Sequence, residues 1–519
     1  MGDVTYASIH DLHRMFAEKR LTVRGLVLEL LARIAAIDSC NEGLNSVLEI
    51  NPDALFIADA LDGMMDNIDA MPQLFGIPIM LKDNINTNDR LHTSAGSIAL
   101  ADNYAPYDAH IVRQLRNAGA LILGKANMTE FANYMSNENM PSGYSSRGGQ
   151  VLNPYNRAKT PNGSSSGSAV AVAAGLCTVS IGTETCGSIV SPAAHCGLVG
   201  IKPTLGLVGR SGIIPISGTL DTAGPMARTV RDAAVLLSVI AGRDPDDPST
   251  HAAHAAHAAH AAHATHATHA AHAAHAKHRQ IPITTTSPVQ DPGSSNPIDY
   301  TRYLDPEGLK GARIGVCRTG KTQEQDDNAQ DIEAEAAFES LCEVLTGAGA
   351  VLTELSEVET DSSIFDIMHF EFKACMNYYL STMGEKTKVR KLNDIIIYNQ
   401  KHAPAALKYG QGVLLNAQNK KSGTMTEPEY INAVEERERA IMELDRMFDE
   451  NGIEVLLYES FSKIAPFTGF PSMTVPIGQR ADNMPLDSYW VARRYDEASL
   501  LKITFALEQL MGLNLHPEV

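Results

Sequence analysis

The chain has 519 residues, 44% of them hydrophobic and 20% charged, with a formal net charge of −19. It is long enough to bury a large core, and the acidic excess argues against a nucleic-acid or anionic-membrane surface, which needs a basic patch. No run of eighteen or more apolar residues occurs, so no transmembrane helix is expected.

At the N-terminus, MGDVTYASIHDLHRMF lacks the basic-then-apolar pattern of a signal peptide. Seven scattered cysteines without a C-x-x-C pair read as free thiols in a reducing cytoplasm. Thr22 caps a predicted helix whose apolar positions Val23, Leu26, Val27, Leu30, Ile34 and Ile37 follow the 3.6-residue period. From about residue 76, short apolar strands end in glycine or polar loops: GIPIML, ALILG and TVSIGT. Helical stretches, SAVAVAAGL and VRDAAVLLSVIAG, lie among them. This alternation predicts an α/β protein with a sheet covered on both faces.

Residues 251–278 carry histidine at every third position, which drifts around a 3.6-residue helix and forms no single face. With the Pro/Ser-rich TTTSPVQDPGSSNP after it, the segment reads as a low-complexity insertion, about 248–300, open to adventitious metal binding. Beyond it RIGVC, EVLLY and MTVPI are further strand candidates, and DEASLLKITFALEQLM closes the chain as a helix.

The chemistry begins at KTPNGSSSGSAVAVAAGL, where Gly163–Gly167 matches G-x-S-x-G with Ser165 at its centre. A nucleophile elbow needs a strand before that turn. LNPYNRAKTPN has two prolines and no strand character, and the distant His369, His402 and His516 sit in no informative motif. A second cluster, GTETCGSIVSPAA, follows the apolar strand TVSIG and ends its turn at Ser188. Small residues there let backbone N–H groups converge as an oxyanion hole requires. Lys82 ends the apolar strand of GIPIMLKDNINT, where burial would lower its pKa and make it a neutral base. Taken singly, these are an ordinary glycine-rich loop and an ordinary strand-end lysine.

Together the segments GIPIMLKDNINT, ALILGKANMTEFANY, GYSSRGGQVLNPY, NGSSSGSAVAVAAGL, GTETCGSIVSPAAHCGLVGIKPT and DTAGPMARTVRDAAVLL resemble the amidase signature family. The clusters GSSSGSA and GTETCGSIVSPAA are most similar to its bacterial peptide amidase-like branch. The resemblance implies a large mixed β-sheet covered by helices on both faces, with one amidase domain over 1–519 and its signature core at about 75–247. It also implies an amide hydrolase with a Ser-cisSer-Lys triad: Lys82 as base, Ser164 as bridge and Ser188 as nucleophile. The oxyanion hole would be formed around Thr185, Cys186 and Gly187, with no metal and no organic cofactor.

Position 186 is cysteine where the family usually has an acidic residue or glycine, and position 190 is valine where many members carry arginine. The implied partner is a small-molecule or peptide amide, with no nucleic acid and no membrane. Segments 130–145 and the region after 360 are candidates for the substrate pocket. The alternatives are the glutaminase subunit of a tRNA-dependent amidotransferase, from which the missing arginine at Val190 detracts, an aryl acylamidase or carbamate hydrolase, a Cys186 thiol nucleophile, and a metal-binding protein acting through the histidine repeat.

Overall fold

A computed structural model describes residues 4–65, 71–251, 298–318, 329–360, 363–384, 387–513 and 515–519. Of the predicted insertion, 252–297 lies outside the described residues, and with it the histidine repeat apart from His251. The strands are β1 Val47–Ile50, β2 Pro78–Lys82, β3 Leu121–Ala126, β4 Tyr144–Ser145, β5 Gly149–Gln150, β6 Val179–Glu184, β7 Val199–Lys202 and β8 Thr222–Ala227. After the insertion come β9 Arg313–Cys317, β10 Val351–Leu355, β11 Val455–Tyr458, β12 Ser472–Gln479 and β13 Pro485–Ala492. Apart from the small β4–β5 hairpin they form one eleven-stranded sheet, in the order β1-β3-β2-β6-β8-β7-β12-β13-β11-β9-β10. It is mixed: β3, β2 and β6 run parallel, β8 pairs antiparallel with β6, and β9 pairs parallel with both β10 and β11.

Side chains of the central strands alternate between two apolar layers, because successive residues of a strand point to opposite faces. Val455, Leu457, Trp490 and Ala492 join the layer of helices 9–17, 23–33, 166–173, 230–240 and 497–511. Leu456, Tyr458, Tyr489 and Val491 join the layer of helices 363–382, 392–401, 412–420 and 428–451. Both faces are therefore covered. Strands β2, β3 and β6 are buried at every position, with Lys82, Lys125, Ser180, Thr183 and Glu184 as the polar residues among their apolar ones.

The predicted helix after Thr22 runs Val23–Arg33, and the Thr22 side chain accepts from the Gly25 N–H as N-cap. Its apolar stripe is buried through Ile34, and a single π turn over Ile34–Asp38 carries the chain on. All the strand candidates from GIPIML to MTVPI are strands, and the closing helix is Glu497–Met511. Strand β8, TAGPMA, was not visible in the pattern. It contains Pro225 yet lies between β6 and β7, a place where proline is disfavoured because it cannot donate to the ladder.

Candidate active site

The parallel pairing of β2 with β6 sets the site. Ile79 faces Val179 and Leu81 faces Ile181, so the carboxyl ends of both strands emerge side by side. In open α/β sheets such strand ends are where ligands bind. Lys82 ends β2, and Thr183 and Glu184 end β6. The third component precedes helix Ser166–Ala173, which packs on β2, β3, β6 and β8. Gly167 allows that approach: a Cβ there would lie 2.3 Å from the Asn127 carbonyl oxygen and 2.4 Å from that of Ser46.

Lys82 is fully buried, and its Nζ donates to Ser164 Oγ at 2.8 Å, to Thr183 Oγ1 at 2.9 Å and to the Thr183 carbonyl at 3.0 Å. Burial pushes its ammonium down to about 7, against the pull of the Glu184 and Asp221 carboxylates. Ser164 is also fully buried, and its peptide bond to Gly163 is cis. Its carbonyl accepts from the Thr129 N–H at 3.1 Å. The next residue ties the two serine clusters together, since the Ser165 N–H donates to the Ser188 carbonyl at 3.2 Å.

Ser165 Oγ is occupied with the backbone of β6. It donates to the Thr183 carbonyl at 3.1 Å and accepts from the Thr183 N–H at 3.2 Å. The serine at the centre of the G-x-S-x-G match thus pins a strand end, and the segment before it, 151–165, contains no strand.

Ser188 ends the turn 185–188 and is 9% exposed. Buried Glu184 shapes that turn: its Oε2 accepts from the Ile189 N–H at 2.7 Å and the Val190 N–H at 3.1 Å. Burial raises the Glu184 carboxyl, while the Lys202 charge and these N–H groups favour the ionised form. Gly187 has φ +83, and a Cβ there would lie 2.9 Å from Phe461 Cζ, so the turn requires glycine on both counts. Among the described residues, the N–H groups of Cys186 and Ser188 donate to no protein atom. Thr185 is held by its hydroxyl, which donates to Asp221 Oδ1 at 2.5 Å.

The cysteine at 186 packs against the second apolar layer, and burial pushes its thiol up to about 12. A thiol held that high is protonated at neutral pH, which argues against a thiolate nucleophile. Val190 is buried in the same layer, so an apolar contact stands where an arginine is common. Of the distant histidines, His369 and His402 contact backbone carbonyls one helical turn back, at Phe365 and Tyr398, and His516 packs at a tilt against the Tyr6 ring. None of those contacts involves the serine clusters. The structure thus sets Lys82 against Ser164 and joins the next residue, through its N–H, to the Ser188 carbonyl at the end of the 185–188 turn.

Four supporting residues were not singled out from the sequence. Thr183 holds Lys82 through two acceptors, and Asn84 Nδ2 donates to Thr183 Oγ1 at 3.0 Å. Glu184 and Asp221 hold the two ends of the 185–188 turn. All four lie inside or beside quoted motifs, in KDN, GTET and DTAGP. Only a polar residue inside an otherwise buried strand end could have marked them.

The family model Amidase matches residues 26–281. A probable amidase of Arabidopsis thaliana is 36% identical over 97% of this chain and 90% of its own length. The structure of peptide amidase from Stenotrophomonas maltophilia superimposes with a TM-score of 0.85 at 36% identity, covering 99% of each chain. A glutamyl-tRNA(Gln) amidotransferase subunit from Alkaliphilus metalliredigens is 29% identical over 98% of this chain and 96% of its own.

Proposed function

The chain belongs to the amidase signature family and is an amide hydrolase, and from that premise we propose that Ser188, Ser164 and Lys82 carry the reaction on the carboxamide of a peptide or related acyl amide. The observation that carries this reading is the buried contact of Lys82 Nζ with Ser164 Oγ, with the lysine depressed to about 7. In that range a substantial fraction of the lysine is neutral near pH 7 and accepts a proton. Ser164 passes its proton to Lys82 and takes one from Ser188, whose Oγ attacks the amide carbon. Backbone N–H groups at Cys186 and Ser188 hold the oxyanion, with Thr185 and Gly187 setting the turn. As the C–N bond breaks, Ser164 returns a proton to the departing nitrogen, which would otherwise leave as an amide anion. Water then attacks the ester carbonyl and gives its proton to the same relay, which returns it to Ser188 Oγ as the ester C–O bond breaks and the acyl group leaves as the acid.

Likeness to the peptide amidase over nearly the whole of both chains supports a C-terminal peptide amide as substrate. The glutaminase reading is favoured by the relatives among glutamyl-tRNA(Gln) amidotransferase subunits, and an apolar contact at Val190 detracts from it. Strands from both sides of the 248–300 insertion join one sheet, which supports one amidase domain over 1–519. The seven free cysteines support a reducing, cytoplasmic setting. Among the described residues, no helix is long and apolar enough to cross a membrane.

The test is ammonia release from peptide amides, aliphatic amides, anilides and glutamine, with products identified by mass. Release of the free peptide acid from a peptide amide, faster than from glutamine, is the expected result. Turnover of glutamine alone, and only with a partner protein present, would transfer the assignment to the glutaminase reading.

A further inference from the structure

One buried carboxylate of the C-terminal helical layer stands behind the site. Glu371, on helix Ser363–Thr382, is 2% exposed and stands directly against the loop between β7 and β8. Its Oε2 accepts from Ser217 Oγ and, at 3.0 Å, from the Thr219 N–H. Its Oε1 accepts from Thr219 Oγ1 and, at 2.7 Å, from Tyr430 OH on helix Pro428–Asn451. A buried carboxylate is costly unless its lone pairs are filled, and here four donors fill them. Three of the four come from one short loop, so that loop is gripped from outside the sheet.

The same loop ends in Asp221. The N–H groups of Ile216 and Ser217 donate to Asp221 Oδ2 at 2.8 and 2.9 Å, and its Oδ1 holds the Thr185 hydroxyl at 2.5 Å. Ser217 therefore belongs to both clusters: its side chain meets Glu371 and its backbone meets Asp221. We propose that Glu371 is a positioning residue, which by clamping Ser217 and Thr219 sets Asp221, and through Asp221 both Thr185 at the nucleophile turn and the negative charge beside Lys82. The inference rests on the proposed Lys82–Ser164–Ser188 relay.

The consequence is electrostatic as well as steric. The carboxylates acting on Lys82 are Glu184 and Asp221, and both favour its charged form. Burial raises the Asp221 carboxyl to about 6 against its hydrogen bonds and the Arg210 charge, so its pull on Lys82 is present near pH 7 and fades below pH 6. Tyr430, Arg437 and Cys375 are the ionisable groups that sense Glu371. If the clamp loosens and Asp221 withdraws, Lys82 loses part of that stabilisation and its pKa falls. Activity that depends on neutral Lys82 would then begin at lower pH, even as a displaced Thr185 slows turnover. General loss of fold reduces the amount of enzyme without moving a pH limb.

The experiment compares Glu371→Gln, Tyr430→Phe and Thr219→Val with the parent across pH 5–9 on a peptide amide. Circular dichroism and active-site titration correct for folded enzyme. For Glu371→Gln we expect kcat to fall about tenfold with KM within about twofold, and the acid limb of kcat/KM to move down by about half a unit. Tyr430→Phe and Thr219→Val should give smaller changes in the same directions, and they carry the test if Glu371→Gln does not fold. In an Asp221→Asn background, Glu371→Gln should add less than about twofold, because the two act as one unit. An unmoved limb with kcat unchanged in all three variants overturns the inference, as does full additivity with Asp221→Asn. Lys82→Ala separates the two levels: if it stays active, the relay itself fails, whereas an inactive Lys82→Ala beside unchanged clamp variants sinks only the role of Glu371.

Discussion

The sharpest expectation concerns the pH dependence of the lysine base. Burial brings Lys82 from its ordinary value of 10.5 to about 7. At pH 7 that raises the neutral fraction from roughly 3 in 10⁴ to about one half, a gain on the order of 10³ in competent base. Below the pKa the neutral fraction falls tenfold per pH unit, so kcat/KM should drop to about a tenth of its plateau at pH 6 and about a hundredth at pH 5. Lys82→Arg keeps a cation in place but cannot lose a proton in this range, so it should cost at least about 10² in kcat. The assay is initial-rate ammonia release at substrate well below KM from pH 5 to 9, with the fold checked by circular dichroism at each pH. A flat profile from pH 5 to 8, or an unchanged limb in Lys82→Arg, would show that another group takes the proton.

Other substitutions probe the remaining geometry. Ser188→Ala should abolish turnover and labelling by a fluorophosphonate, read by mass spectrometry of the intact protein. Ser164→Ala should reduce kcat by about 10² or more, while Ser165→Ala should mainly destabilise, by about 1–3 kcal/mol in denaturant titration, because the buried Thr183 N–H loses its acceptor. The opposite ranking in activity, with Ser165 essential and Ser164 dispensable, would dismantle the relay. Glu184→Ala strands the Ile189 and Val190 N–H groups in a buried turn, so kcat should fall with little change in KM and the melting temperature should drop. Gly187→Ala combines a left-handed φ with a Cβ 2.9 Å from Phe461, and we expect turnover to fall with a stability loss of about 1–3 kcal/mol. Normal kinetics in that variant would mean the turn relaxes at no catalytic cost.

How much of this was legible in the chain differs from element to element. The helix after Thr22 and strands β2, β3 and β6 announce themselves, since a 3.6-residue stripe and short, mainly apolar runs ending in glycine or polar loops have few other foldings. Strand β8 does not, because its proline and glycine read as a loop; only pairing on both sides makes TAGPMA a strand. Edge strand β10 is equally quiet, with Val351 and Glu354 exposed and no position fully buried.

The candidate site divides along the same line. By itself the sequence determined residue types and their local settings: two serine-glycine turns, a lysine ending an apolar strand, and no histidine at hand. Those follow from chain-local chemistry, in which small residues permit tight turns and apolar neighbours imply burial. The family resemblance paired Ser164 with Lys82, but only the tertiary structure decided that Ser165 is tied to β6, and that Glu184, Asp221 and Glu371 hold the turn and the loop behind it. Glu371 and Asp221 stand 150 residues apart in the chain, and no periodicity relates them. Their association depends on how a helix of the second layer lies against a loop of the sheet. That is a property of packing in three dimensions, where a buried carboxylate must find its donors wherever the fold presents them.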